Sequence, residues 1–332
     1  MNPGRVWAAV RREPLLPVLV VLLVVLASLY HGFATAANVR NIAIQASPLI
    51  IAAVGMTYVI ITAGIDLSVG SMLFLAAAIE SSRALVDRPT ALVFAAVCAA
   101  GVVMGLLNGL AVAFTRVPAL IVTLATMQVF RGAGGHITGQ QNIDLPANLR
   151  GIGTGTLLGV PTPVLLAAVV ALGGGFLFSR TTFGRYVQAA GSNPEAASNA
   201  GLPVRRVLVG AYALAGLLAA VASLTQTARL GAVQPSIGQG FELTVITAVV
   251  LGGTTLLGGR GSIGGTVLGA LILTTVQTGL VFSGASPYVF DIVRGGVLLA
   301  AVLAAGARWR NLAHAVGLTG RRRSSQADGT TA

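Results

Sequence analysis

Side chains that do chemistry are scarce in this chain, and those present do not converge. Only 9% of its 332 residues are charged, against about 25% in a typical soluble domain. Lysine is absent, and all 21 basic residues are arginine. That removes a Walker A loop, which needs a lysine on the nucleotide phosphates, and any Schiff-base nucleophile. Cys98 is the single cysteine and sits in an apolar run, which allows neither an internal disulfide nor a cysteine-built metal site. His31, His136 and His314 lie far apart, without ligand spacing such as H-E-x-x-H. Catalysis by metal or nucleophile is not expected, no catalytic residue is assigned, and no cofactor is expected in this chain.

The polar residues that remain form two groups. Asp66 and Ser68 follow Gly64 at the start of an apolar run, Glu242 opens another, and Asn108, Gln128, Gln226 and Gln277 lie within or near the ends of others. An acid inside an apolar segment is a functional hypothesis by default. Asp66, Ser68, Asn108, Gln128 and Glu242 are therefore the candidates for a polar path. Each has a structural reading too. Asp66 or Ser68 can cap a helix, Glu242 suits a helix N-terminus or a pairing with Arg229, and amides can bridge helices. For Asp66 and Glu242 the structural role accounts for the position without a ligand. Glu80 with Arg83, and Asp291 with Arg294, stand three apart and read as ion pairs. The second group is G-S-N-P-E-A-A-S-N-A-G-L-P-V (191–204). Pro194 fits a first helical turn capped by Ser192 or Asn193, with Glu195 favourable against the dipole, and Gly201 with Pro203 ends it.

The elements around these residues are apolar. Hydrophobic residues make up 55% of the chain and mean hydropathy is +0.86, which excludes an aqueous monomer and a disordered chain. A spanning helix needs roughly 20 apolar residues. Ten segments fit, near 15–33, 42–62, 67–82, 91–114, 117–134, 161–179, 206–227, 241–257, 262–283 and 287–306, the third and eighth short and broken by glycine. The expected fold class is an all-α integral membrane protein of about ten transmembrane helices with both termini cytoplasmic. That orientation places 14 arginines inside and 6 outside, with Arg294 in the last span, as the positive-inside rule requires. The net charge of +12 is then topology information; no nucleic acid is expected, because interleaved aromatics on a basic face are missing. The first apolar run reads as a retained anchor rather than a signal peptide. Residues 1–14 are expected to be a cytoplasmic segment, 15–306 the transmembrane domain, and 307–332 an Arg-rich disordered cytoplasmic tail. Within the domain, loop 135–160 falls outside and loop 180–205 inside. Ser68-Val69-Gly70-Ser71 and Ser262-Ile263-Gly264-Gly265 echo one another and leave a parallel internal repeat open.

Four ordered stretches carry a resemblance. G-M-T-Y-V-I-I-T-A-G-I-D-L-S-V-G-S (55–71), N-G-L-A-V-A-F-T-R-V-P-A-L-I-V-T-L-A-T (108–126), F-G-R-Y-V-Q-A-A-G-S-N-P-E-A-A-S-N-A-G-L-P-V (183–204) and I-T-A-V-V-L-G-G-T-T-L-L-G-G-R-G-S-I-G-G-T (246–266) are similar to segments of the permease subunits of ABC-type sugar importers, the ribose, xylose, rhamnose and autoinducer-2 class. The resemblance implies type II importer architecture in a bacterial cytoplasmic (inner) membrane. It implies a second permease subunit, identical or different, and a cytoplasmic ABC ATPase that binds ATP and Mg. It also implies an extracytoplasmic solute-binding protein that delivers the sugar. It carries an ATPase-coupling role onto Asn193, Pro194, Glu195, Ala196, Ala197 and Gly201. A stand-alone secondary transporter or channel for a small polar solute is the alternative, although such carriers place several unpaired acids at mid-membrane.

Overall fold

The computed structural model describes residues 15–315. Residues 1–14 and the arginine run Arg321–Arg323 lie outside the described residues. Each of the ten apolar stretches holds a helix. In chain order these are α1 (Leu15–Leu29), α2 (Ala36–Ile61), α3 (Val69–Glu80), α4 (Thr90–Phe114) and α5 (Ala119–Thr138), then α7 (Thr162–Arg180), α10 (Val204–Leu230), α11 (Phe241–Leu251), α12 (Ile263–Phe282) and α13 (Pro287–Ala315). Three further helices lie in the two long loops: α6 (Ala147–Thr154), α8 (Thr182–Ser192) and α9 (Pro194–Asn199). Among the described residues, five helices, α2, α4, α7, α10 and α12, are long and apolar enough to cross a membrane by length and composition.

The apolar surface of the helices sorts them into a centre and a rim. Every residue of α2 from Ala46 to Ile61 is buried, as expected of a helix that is hydrophobic all round and enclosed by others. The rim helices instead expose large apolar side chains, among them Val24 on α1, Val103 and Leu107 on α4, Leu172 and Phe176 on α7, and Leu299 on α13. Water would penalise such a belt and lipid does not. Sparse polar bonds then fix the centre to its neighbours. Thr57 and Thr266 hydroxyls join α2 to α12 at 2.8 Å, and the Tyr58 hydroxyl donates to Gly174 O on α7 at 2.6 Å.

The close packing of α4 against α10 rests on glycine. Gly101, Gly105 and Gly109 recur every fourth residue and so share one face of α4. A Cβ on Gly109 would stand 2.8 Å from Val209 Cα, and one on Gly105 would stand 2.8 Å from Ala213 Cα. One on Gly101 would meet Gly216 O at 2.5 Å. Small residues at this spacing let two backbones touch, which is how helices associate where lipid offers no hydrophobic drive.

The two shortest of the ten apolar helices, α3 and α11, cannot cross. α3 has 12 residues and α11 has 11, so each is roughly 17 Å long at 1.5 Å per residue, against about 30 Å of hydrocarbon. Each abuts irregular backbone, 62–68 before α3 and 252–262 after α11. Both stretches lean on other parts of the protein, where non-helical chain is tolerated at membrane depth. The echo between the two openings does not extend to their bonds. Ser262 Oγ caps α12 by accepting from Gly265 N at 3.1 Å, whereas Ser68 makes no cap bond and donates to Asp66 instead.

The structure departs from the sequence reading in three places. The expected Glu80–Arg83 pair does not form: α3 ends at Glu80, the spacing of three then no longer lies on a helix, and Arg83 is exposed. Glu80 is instead fully buried and accepts from Thr227 Oγ1 at 2.8 Å. The Glu242–Arg229 pairing, one of the readings of Glu242, is also absent; Glu242 sits in the first turn of α11, and the one ion pair among the described residues is Asp291–Arg294, at 3.0 Å. The loop 135–160, for which the sequence reading gives no internal structure, is ordered. It carries the last turn of α5, helix α6 and a short hairpin, and its Ile143–Asp144 strand pairs antiparallel with Ala232–Val233. Finally, α13 continues to Ala315, past the expected end at 306; its A-V-L-A-A-G-A-R segment is rich in strong helix formers.

Candidate functional site

Asp66, Ser68 and Asn108 come together in the break before α3. The Ser68 backbone N–H and hydroxyl both donate to Asp66 Oδ1, at 2.8 and 2.7 Å. Asn108 Nδ2 donates to Ser68 Oγ at 2.8 Å and reaches Asp66 Oδ1 at 3.5 Å. Thr123 Oγ1 donates to Ile65 O at 3.2 Å. The break is thus tied to α4 and α5 through four polar residues. Asp66, Ser68 and Asn108 are wholly buried, so in this conformation they face one another inside the bundle. Asp66 Oδ2, Asn108 Oδ1 and the Tyr212 hydroxyl have no protein partner there. Gln128 is exposed on α5, away from this cluster. Glu242, half-buried at the start of α11, lies within electrostatic reach of Arg131. That arginine itself donates to Ile237 O at 2.8 Å and covers the Phe74 ring at 4.8 Å.

The end of the break nearer α2 meets the 180–205 loop. Gly191, at the end of α8, packs so closely on Ile61 that a Cβ would collide with the Ile61 carbonyl. The same carbonyl accepts from Gly259 N at 2.8 Å. The end of α2, the end of α8 and the 252–262 loop therefore share one backbone junction. Directly after it comes α9. Asn193 is its N-cap, with Oδ1 accepting from Ala196 N at 2.9 Å, and Pro194 fills the first turn. At the other end Gly201 takes φ +81. Leu202 N donates to Ala197 O at 3.0 Å and Gly201 N to Ser198 O at 2.9 Å, the Schellman pattern that closes a helix.

The faces of α9 are distinct. Ala197 is buried, while Asn193, Pro194, Glu195, Ala196 and Gly201 are exposed. Ala197 thus seats the helix, and the other five of the six coupling candidates present a surface. The sequence reading foresaw the cap and the stop of α9 but not α8. The signal for α8 was available in T-F-G-R-Y-V-Q-A-A-G-S: Gly184, Val187, Ala190 and Gly191 recur at helical spacing and are its buried face.

At the opposite ends of α2, α10, α11 and α12 lies a cavity of 380 Å³. Gln45, Gln226 and Gln277 line it from three helices, and Gln234 and Gln239 from the connection between α10 and α11. None of these five amide side chains hydrogen-bonds a protein group among the described residues. Arg229 contributes a buried Nε without a partner. Arg294 is turned to protein groups: Nη1 donates to Gly240 O and Thr244 Oγ1, both at 2.9 Å, and Nη2 meets Asp291. Phe241 and Phe290 supply apolar wall. In the sequence Gln226 and Gln277 are only polar residues within or near the ends of apolar runs. Their convergence depends on how α10 and α12 pack, which periodicity does not reveal.

Comparison with known proteins places the chain. The family model described as "Branched-chain amino acid transport system / permease component" matches residues 38–302. The chain is 42% identical over 290 residues to the ribose import permease protein RbsC of Escherichia coli K12, covering 86% of this chain and 90% of that one. It is 34% identical over 302 residues to the L-arabinose ABC transporter permease protein AraH of Azospirillum brasilense (90% and 89% covered). Against the xylose transport system permease protein XylH of E. coli K12 the identity is 35% over 334 residues, covering 82% and 85%. No solved structure matches. A multi-pass apolar bundle with these relatives belongs to the permease-component family of ABC transport systems.

Proposed function

We propose that this chain is the membrane-spanning subunit of an ATP-driven monosaccharide importer. It forms half of a translocation path and is switched by ATP hydrolysis in a separate cytoplasmic ABC ATPase. The relatives named for ribose, arabinose and xylose support the substrate class. In this reading the ten apolar helices build the bundle in a bacterial inner membrane, with both termini and α9 inside. A second permease subunit, identical or different, completes the path, and an extracytoplasmic binding protein delivers the sugar on the cavity side.

The observation that carries the reading is α9. Helices this short are unstable alone, since isolated helices below about 12 residues are marginal in water. Here a cap, an N1 proline, a glycine stop and one buried alanine all hold six residues in place. Its exposed face, bearing Glu195 and Ala196, is a ready surface for a partner. Its attachment at the Ile61–Gly191–Gly259 junction gives that partner a route to both helix breaks. A two-state element biased from one end is what switching requires.

The test is reconstitution with the ATPase and binding protein. Glu195→Arg with Ala196→Trp alters only exposed side chains. The double variant is expected to melt like wild type, yet lose sugar-stimulated ATP hydrolysis and most uptake. Wild-type coupling in that variant would remove α9 from the mechanism.

A further inference from the structure

The cavity opposite α9 holds hydrogen-bonding capacity that the fold leaves unused. Its 380 Å³ falls within the roughly 300–1,000 Å³ of small-ligand pockets. Each glutamine amide offers two N–H donors and two carbonyl lone pairs, and none of the five is engaged with protein among the described residues. Gln226 is half-buried, and the neighbouring Arg229 Nε is buried without a partner. A sugar hydroxyl both donates and accepts, so a ring carrying several hydroxyls matches a wall of amides. Its apolar C–H faces match Phe241 and Phe290.

We propose that this cavity is a saccharide-binding site within each copy of the chain, with Gln226, Gln277 and Arg229 hydrogen-bonding the ring hydroxyls of a neutral monosaccharide. The importer reading supplies the substrate class; the site's own argument is the chemistry of its wall. That chemistry separates a sugar from a branched-chain amino acid, the class in the family's description. A zwitterion needs a carboxylate for its ammonium group. The cavity's acid, Asp291, is already held by Arg294, whose Nη1 also donates to Gly240 O and Thr244 Oγ1. What stays free is neutral amide and the Arg229 guanidinium, which has no acid partner among the described residues to complete a site for a zwitterion.

The experiment uses the full chain in lipid nanodiscs, with saturation-transfer NMR to D-ribose as the probe and L-leucine as the competitor. Saturable transfer to the ribose ring protons is expected, undisturbed by L-leucine. In Gln226→Ala/Gln277→Ala the affinity should fall by about tenfold. Gln277→Ala alone changes an exposed wall residue, so its partial loss would show that the effect does not come from misfolding. No saturable ribose signal, an unchanged signal in the double variant, or displacement by L-leucine overturns the proposal. Uptake by the complete transporter separates the two claims. If wild type shows no ATP-dependent ribose, arabinose or xylose uptake, the importer reading falls. If uptake is normal and the cavity variants bind and transport as wild type does, only the cavity assignment falls.

Discussion

Asn193→Ala removes a single exposed side chain, and its effect can be worked from the geometry. The substitution deletes the 2.9 Å bond from Ala196 N to Asn193 Oδ1 and leaves that first-turn N–H to water. N-cap losses of this type cost about 1 kcal/mol, close to a fivefold change in a local equilibrium at 1.4 kcal/mol per tenfold. In a long helix that would vanish among many bonds. α9 has only six residues, so the cap is a large fraction of what holds it, and the cost falls on local order rather than on the bundle. Hydrogen exchange of the chain in nanodiscs reads this directly. The amides of Ala197, Gly201 and Leu202, which donate within the α9 turns, should exchange about fivefold faster, with the melting temperature unchanged. Sugar-stimulated ATP hydrolysis should fall in parallel, and Asn193→Asp, which keeps a capping oxygen, should restore both. If exchange rises fivefold while coupling stays at the wild-type level, an ordered α9 is not needed for switching, and the reasoning is refuted.

Three other substitutions probe the frame. Gly105→Leu drives a side chain into the α10 backbone at Tyr212 and Ala213, and overpacking of this kind costs about 1–3 kcal/mol or more; a lowered melting temperature with aggregation on size exclusion is the expected result. Thr227→Val strips the one protein partner from Glu80 Oε2 and leaves a buried carboxyl unsatisfied, for a loss of about 1–3 kcal/mol. Adding Glu80→Leu should recover part of that loss, and a double variant less stable than Thr227→Val would contradict the account. Ala197→Trp should destabilise the chain because Ala197 is buried, whereas Ala196→Trp should leave the melt untouched; equal effects at the two positions would mean that the faces of α9 are assigned wrongly.

What the sequence shows, and what it hides, follows from the range of each interaction. The helices and the ends of α9 are local. Apolar runs mark the former, and Asn193, Pro194 and Gly201 mark the latter within nine residues of chain. Asp291–Arg294 was legible because both residues lie on α13 and helical spacing fixes their geometry. Glu80–Arg83 has the same spacing and failed because the helix stops at Glu80, and helix ends are the least certain feature of a sequence reading. The Asp66–Ser68 contact is also local, but Asn108 joins it only through the approach of α4. The G-x-x-x-G-x-x-x-G run at 101–109 was on view in the sequence, yet its partner Gly216 is far along the chain. The cavity is the extreme case: Gln45, Gln226 and Gln277 are spread over most of the chain, and only packing unites them.

The central claim is that an ATPase works this chain from the α9 side. Its most direct test is affinity purification of the tagged chain from its native membrane in mild detergent, with mass spectrometry of what accompanies it. The account predicts an ABC ATPase subunit in the wild-type sample and its loss with Glu195→Arg/Ala196→Trp. Recovery of the chain without any ATPase would contradict it and shift the weight to a transporter that works alone.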